Sequence, residues 1–239
     1  MPNSPTLYAV KMANTPLRYE SQWPVRLIVA HASSLSIEEK ETLRDAQQCI
    51  FDDEGPSSIS ALNPWWGELT GVHWMVNNCD DEWLGNCQYR RSWNDIELYN
   101  MEPNLLYLCH PCVFGYSLAA QFQGGHRFPG VEMTMALANA GKLPFTAEEM
   151  AATWGSSVFQ GGPMAVADNA SYKRLMTVLF DCLWPVWNAY EDDIRQLNGY
   201  DKRAMAFLAE RLLSGIVQHR KKFLGDIGIQ HIVQRFHGP

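Results

Sequence analysis

The segment SALNPWWGELTGVHWMVNNCDDEWLGNCQYRRSW, residues 60–93, holds five of the chain's nine tryptophans and changes its hydrophobic period half-way. Over 64–78, Trp66, Leu69, Thr70, His73, Trp74 and Val76 recur at spacings of three and four residues, as an amphipathic helix requires. Asn63-Pro64 predicts the start of that helix, an N-cap followed by proline at the first helical position. Asp80, Asp81 and Glu82 then turn the chain into EWLGNCQY, a strand over 82–89 that delivers Arg90 and Arg91 to its carboxyl end. A helix leading into such a strand points to an α/β architecture. In open α/β sheets, ligands collect at the carboxyl ends of the strands.

The flanking sequence agrees. Residues 6–12 (TLYAVKM) and 25–31 (PVRLIVA with His31) read as strands, and Ser36 followed by Glu38 and Glu39 opens a helix expected to run to about residue 50. YLCHPCVFG is a further strand-like run, VEMTMALANAGK a helix ended by Gly141, and Thr146 with Glu149 forms a capping box for the next helix. SVFQGGPMAVAD reads as a strand whose glycines admit a close approach to the backbone. The run ASYKRLMTVLFDCLWPVWNAY predicts a long helix that Pro185 kinks or breaks, and residues 200–223 predict another helix. With 239 residues and no linker or repeat, one domain is expected.

Composition narrows the function classes. A formal charge of −7 argues against broad binding to nucleic acid or anionic lipid, since that mode neutralises phosphates with a basic surface. A local basic pocket for a small anion stays open. No window is apolar and long enough to span a bilayer, and the amino-terminal stretch lacks a signal-peptide core, so a cytoplasmic location is expected. Six scattered cysteines read as reduced, buried thiols. Cys109-His110-Pro111-Cys112 lacks a second ligand pair for zinc, though His126 could add one ligand, and it lies in a strand-like run rather than opening a helix as a redox pair should. The Gly-rich phosphate loops and the nucleophile elbow are absent.

Several charged residues remain as candidates. Asp52-Asp53-Glu54 and Asp80-Asp81-Glu82 could each present carboxylates to a divalent metal or a ribose, or serve as solvated turn charges and caps. Arg90 and Arg91 are either a surface pair or an anion site; strand alternation sends neighbours to opposite faces, so one of the two should point inward. Glu68, within an apolar helix, could hold either arginine in place.

Gly55, Ile59-Ser60, Leu62-Asn63, Trp65-Trp66, Glu68-Leu69-Thr70, Trp74, Gly85 and Tyr89-Arg90-Arg91 together resemble the signature of a bacterial family of glycosyltransferase-like proteins associated with capsule and exopolysaccharide genes. Arg203 followed by Phe207-Leu208-Ala209-Glu210-Arg211-Leu212-Leu213 is similar to that family's carboxyl-terminal helix. The chain departs from the pattern at Val10, before Lys11, and at Gln88, where the family carries histidines.

The resemblance implies an α/β fold of the GT-A type, a mixed sheet flanked by helices that binds a nucleoside-diphosphate sugar at its strand ends, in a single domain over 1–239 whose first hundred residues or so bind the nucleotide sugar and whose remainder binds the acceptor. It implies transfer of that sugar to a carbohydrate or lipid-linked saccharide acceptor, with peripheral membrane contact open and nucleic acid disfavoured. Gln88-Tyr89-Arg90-Arg91 stands where such folds often mount an acidic pair and a metal, so fixed cations are expected to replace manganese or magnesium at the diphosphate. Lys11, Asp52, Asp53, Ser60, Asn63, Glu68 and Gln88 join the arginines as expected donor-binding residues. Gln160, Gly161, Gly162, His126 and Arg211 are expected on the acceptor side. Glu210, with Asp168 second, is the expected carboxylate near the reacting carbon; pairing of Glu210 with Arg203 or Arg211 is the alternative. A non-catalytic binding protein of a surface-sugar pathway and transfer to a protein or nucleobase are the rival functions.

Overall fold

A computed structural model describes residues 5–94, 98 and 100–238, which leaves the first four residues of the amino-terminal stretch outside it. The chain forms two compact units. The first comprises residues 1–110, 164–176 and 227–239, and the second residues 111–163 and 177–226. Two late segments thus return to the first unit, which a boundary near residue 100 assigns to the second half.

The first unit is built on one mixed sheet. Strands β1 (Thr6–Met12), β2 (Val25–Ala30), β3 (Ile50–Phe51), β4 (Trp83–Gln88), β5 (Arg91–Trp93), β6 (Leu105–Cys109), β9 (Ala165–Asp168), β10 (Gly228–Ile232) and β11 (Gln234–Phe236) belong to it. Their order is β10-β6-β9-β4-β1-β2-β3, with β5 attached to β4 and β11 to β5. β1 runs parallel to both β2 and β4, and β2 parallel to β3, so four carboxyl ends share one edge. β9 runs antiparallel between β4 and β6. The strands nearest the centre are apolar on both faces, as a sheet covered on both sides requires.

Helix α1 (Ile37–Gln47) starts at Ser36, whose hydroxyl accepts from Glu39 N–H while the Glu39 carboxylate accepts from Ser36 N–H. It stops at Gln48, in the left-handed region with φ 48°, short of the expected residue 50. The expected helix over 64–78 is two helices, α2 (Asn63–Trp66) and α3 (Leu69–Asn78). Gly67 separates them with φ 57°, a conformation that costs a residue with a Cβ more than glycine. α3 lies against the sheet at Gly71, where an added Cβ would stand 2.8 Å from Val10 Cγ1 and 3.3 Å from Ile28 Cγ2.

The second unit contains the short pair β7 (Cys112–Val113) and β8 (Val158–Phe159) with helices α4 (Leu118–Gly125), α5 (Gly130–Asn139), α6 (Ala147–Gly155), α8 (Ala204–Gln218) and α9 (Arg220–Leu224). The Thr146–Glu149 capping box forms at α6 as the sequence predicts. The helix expected over 200–223 is interrupted at His219, and residues 199–203 form a separate 3-10 turn. SVFQGGPMAVAD is two strands, because residues 160–164 form a connection in which Gly162 takes φ 75°.

Helix α7 (Asn169–Arg195) passes through Pro185 and leaves helical geometry only at Tyr190, with φ −131°. Asp181, whose carbonyl would have received the missing Pro185 N–H, is exposed, so water can serve it. Cys112 is also a correction: it is exposed, whereas Cys49, Cys79, Cys87, Cys109 and Cys182 are buried free thiols.

Candidate active site

The carboxyl edge of the sheet gathers residues from β1 to β4. Lys11, only 3% exposed, donates to Gln47 Oε1 over 2.6 Å. Burial pushes its ammonium below the ordinary lysine value, against a smaller opposing effect from Cys49. Asp52, just past β3, is fully buried. Its Oδ2 accepts His31 N–H (3.1 Å), and its Oδ1 accepts Ala32 N–H (3.0 Å) and the Ser60 hydroxyl (2.5 Å). Ser60 Oγ in turn accepts Ser33 N–H at 3.0 Å. This web holds the turn after β2, where His31 sits in the left-handed region with φ 63°. Asp52 and Ser60 are therefore struts of the edge in this structure, and Asp53 pairs with Lys40.

Asn63 is likewise occupied within its own helix pair: its amide donates to Gly67 O at 2.7 Å and to Thr70 Oγ1 at 3.2 Å, bridging the break between α2 and α3. Glu68 Oε1 accepts from Gln88 Nε2 at 2.6 Å, so the amide at the end of β4 is fixed from the helix.

Arg90 and Arg91 do not alternate along one strand. β4 ends at Gln88, Tyr89 and Arg90 form the turn, and Arg91 opens β5, paired across the hairpin with Gln88. The alternation rule fails here because a tight turn intervenes. Both guanidinium groups lie over the ring of Phe236 in β11, at 5.5 Å for Arg90 and 5.9 Å for Arg91, and Arg90 also lies 5.5 Å from the Tyr89 ring centroid. Arg90 Nε is buried without a hydrogen-bond partner. Neither arginine forms an ion pair among the described residues.

Asp168 is placed elsewhere. Antiparallel pairing sets it beside Trp83, the first residue of β4, at the edge opposite Gln88. Its carboxylate caps α7 by accepting Ser171 N–H at 3.0 Å and also accepts Asn104 N–H at 2.8 Å. Burial pushes this carboxyl up, but the Ser171 and Asn104 hydrogen bonds outweigh it and hold the group below the ordinary aspartate value. Its work is to start a helix, away from the carboxyl end of β4. Asp80 pairs with Lys173 at 3.5 Å.

In the second unit, Arg211 is 3% exposed. Its guanidinium lies over the rings of Phe122 (5.2 Å) and Phe159 (4.8 Å). It donates to Phe207 O (2.9 Å), Glu210 Oε2 (2.7 Å) and Gln121 Oε1 (2.6 Å). Of the two arginines considered as partners of Glu210, Arg211 is the one observed. Gln160 is buried and its N–H donates to Ser214 Oγ at 2.9 Å; Gly161 and Gly162 follow in the connection to β9.

His126, 8% exposed, has Nδ1 at 3.1 Å from Asp201 Oδ1. Neither Asp201 nor its neighbour Tyr200 was singled out by the sequence, because the 75 residues separating His126 from Asp201 leave no local signal.

Residues 28–108 match the family model described as Domain of unknown function (DUF4422). No curated protein sequence matches the chain. Among solved structures, the apo structure of the WbbM bifunctional glycosyltransferase is similar over 98% of this chain, with a TM-score of 0.72 and 16% sequence identity. The fold is glycosyltransferase-like. The chain spans 45% of the length of that protein, so the likeness concerns one part of a larger molecule.

Proposed function

We propose that the protein is a glycosyltransferase that moves a sugar from a nucleoside-diphosphate donor to a carbohydrate acceptor. The observation that carries this reading is the pair of guanidinium groups at Arg90 and Arg91, without carboxylate partners among the described residues, at the end of β4. An arginine kept from an internal acid is available to an external anion, and its planar donors match phosphate oxygens. As the bond to the donor sugar breaks, negative charge gathers on the leaving diphosphate. Fixed cations aimed there favour the transition state over the ground state.

Folds of this type often hold a divalent metal at this place, and the residues present do not fit one. Hard cations need oxygen donors, whereas this turn supplies the Gln88 amide and two guanidinium groups. The Asp52 oxygens already accept three hydrogen bonds, and Asp53 is paired with Lys40. Among the described residues no three His, Cys, Asp or Glu are gathered as a ligand set. The proposed chemistry therefore runs through the arginines, with Gln88 steadied by Glu68 and with Lys11 as a further cation at the same edge.

The acceptor we favour is a lipid-linked or growing polysaccharide of a capsule, exopolysaccharide or O-antigen type. The support is the sequence resemblance together with the glycosyltransferase character of the WbbM structure. No helix among the described residues is long and apolar enough to cross a membrane.

A thermal-shift panel of nucleoside diphosphates and nucleotide sugars, with and without manganese, tests the donor reading. Ligand that binds the folded state raises the melting temperature by mass action. A shift with at least one diphosphate that survives a chelator is expected. A shift that requires manganese would sink the arginine-based site, and no shift with any nucleotide would sink the donor reading as a whole.

A further inference from the structure

The turn that carries Arg90 is assembled by three segments of the first unit that lie far apart in sequence. Alone, β4 and β5 pair only at Gln88 and Arg91, too little to hold the tip of a hairpin. β11 adds an antiparallel partner along the whole of β5, with Gln234 opposite Trp93, Arg235 opposite Ser92 and Phe236 opposite Arg91. The two carbonyls of the turn are taken from outside it: Tyr89 O accepts Arg18 N–H and Arg90 O accepts His237 N–H, each at 2.9 Å. The His237 ring is held in turn, with Nε2 2.8 Å from Ser92 Oγ and its face on Tyr19 at 5.0 Å. This seating places the Phe236 ring against both guanidinium groups, at 5.5 Å for Arg90 and 5.9 Å for Arg91, while leaving the residue 57% exposed.

We propose that Phe236 is a positioning residue of the diphosphate site, holding Arg90 and Arg91 ready for the anion; this rests on the glycosyltransferase reading. A guanidinium carries its five N–H donors in its plane and offers its face to an aromatic ring. Contact with Phe236 therefore orders both arginines without consuming a donor or a charge. A carboxylate in the same place would order them too, but it would cancel the charge that an anion needs. Neither arginine forms an ion pair among the described residues, so two like charges are gathered about one neutral ring. Like charges held together repel, and an incoming dianion relieves that repulsion.

The gain is preorganisation. Arginine has a long side chain with many rotamers, and immobilising one on binding weakens affinity by about 2–10-fold. An arginine already seated on a ring is ordered before the ligand arrives. Phe236 gives the fold itself little, because an exposed ring leaves no core cavity when it is removed. Arg90 also has the Tyr89 ring, at 5.5 Å, whereas Arg91 has Phe236 alone among the described residues, so Arg91 depends on it more.

Calorimetric titration with the nucleoside diphosphate found by the panel above, and with its nucleoside, compares wild type, Phe236→Ala, Phe236→Leu and Phe236→Tyr, with a melting temperature for each. Leucine supplies an apolar side chain without an aromatic face, and tyrosine keeps the face. We expect the alanine and leucine variants to melt as wild type does and to bind the diphosphate about tenfold more weakly, with nucleoside affinity unchanged. Tyrosine should restore wild-type affinity for the diphosphate. Wild-type diphosphate affinity in a folded Phe236→Leu protein overturns the assignment and leaves the donor reading intact. So does an equal loss of nucleoside and diphosphate affinity, which would put the ring against the base rather than the arginines. Failure of wild type to bind any nucleoside diphosphate overturns both.

Discussion

Asp52 offers the sharpest separation of a structural role from a ligand-binding one. Its side chain is fully buried and accepts from three donors, His31 N–H, Ala32 N–H and Ser60 Oγ. Asp52→Ala leaves these donors facing an apolar methyl group. An unsatisfied buried donor costs about 1–3 kcal/mol. The His31 contact is only partly buried, so relaxation of that turn reduces its share, and a total loss of about 3–5 kcal/mol is expected. Asp52→Asn keeps one oxygen but turns an amide toward a backbone N–H, for a loss of about 2 kcal/mol. Against a typical total of about 5–15 kcal/mol, the alanine variant should unfold at much lower urea with an unchanged slope. If Asp52→Asn instead keeps its midpoint within about 0.5 kcal/mol of wild type and loses nucleoside-diphosphate binding, the strut argument is wrong and Asp52 is a ligand.

Gly71→Ala should destabilise by about 1–3 kcal/mol despite alanine's better helix propensity, because the new Cβ would meet Val10 at 2.8 and 2.9 Å; a urea midpoint at or above wild type would refute the packing argument. Glu210→Gln should cost about 1–3 kcal/mol, since Arg211 loses the carboxylate that compensates its burial, and chemical denaturation checks this. Burial holds His73, His126 and His231 below the ordinary histidine value of 6.5. The unfolded chain then binds more protons below that value, so stability should fall as pH drops from 6.5 through the folded-state values. A second loss should follow below about pH 4, as Asp81 and Asp168, both held low in the folded state, take up protons. Melting scans from pH 7 to 3 read both phases.

Features with a local physical cause were legible in the sequence. β1 has its expected bounds, the helix expected to open after Ser36 does so, and the Thr146–Glu149 capping box forms, because each depends on residues close in sequence. The mixed α/β character followed from the strand–helix–strand order of the first ninety residues. The expected site residues fared according to how far their neighbours lie in sequence. Arg90 and Arg91 do reach the end of β4, but strand alternation said nothing about the turn that sets Arg90 apart. Asp168 was misplaced because the sequence does not reveal that β9 runs antiparallel to β4, which reverses its edge. The partners of Asp52 at His31, Ala32 and Ser60, and the contact of His126 with Asp201, depend on chain crossings that no window contains. Pro185 was overread, since an exposed carbonyl at Asp181 lets the helix absorb it.

The central claim is that Arg90 and Arg91 neutralise a donor diphosphate. Calorimetric titration of wild type, Arg90→Gln and Arg91→Gln with the nucleoside, its monophosphate and its diphosphate tests it most directly. Wild type should bind the diphosphate at least tenfold more tightly than the nucleoside, about 1.4 kcal/mol, with a chelator present. At least one arginine variant should lose that preference while keeping its melting temperature. Equal preference for the diphosphate in both folded variants would contradict the account.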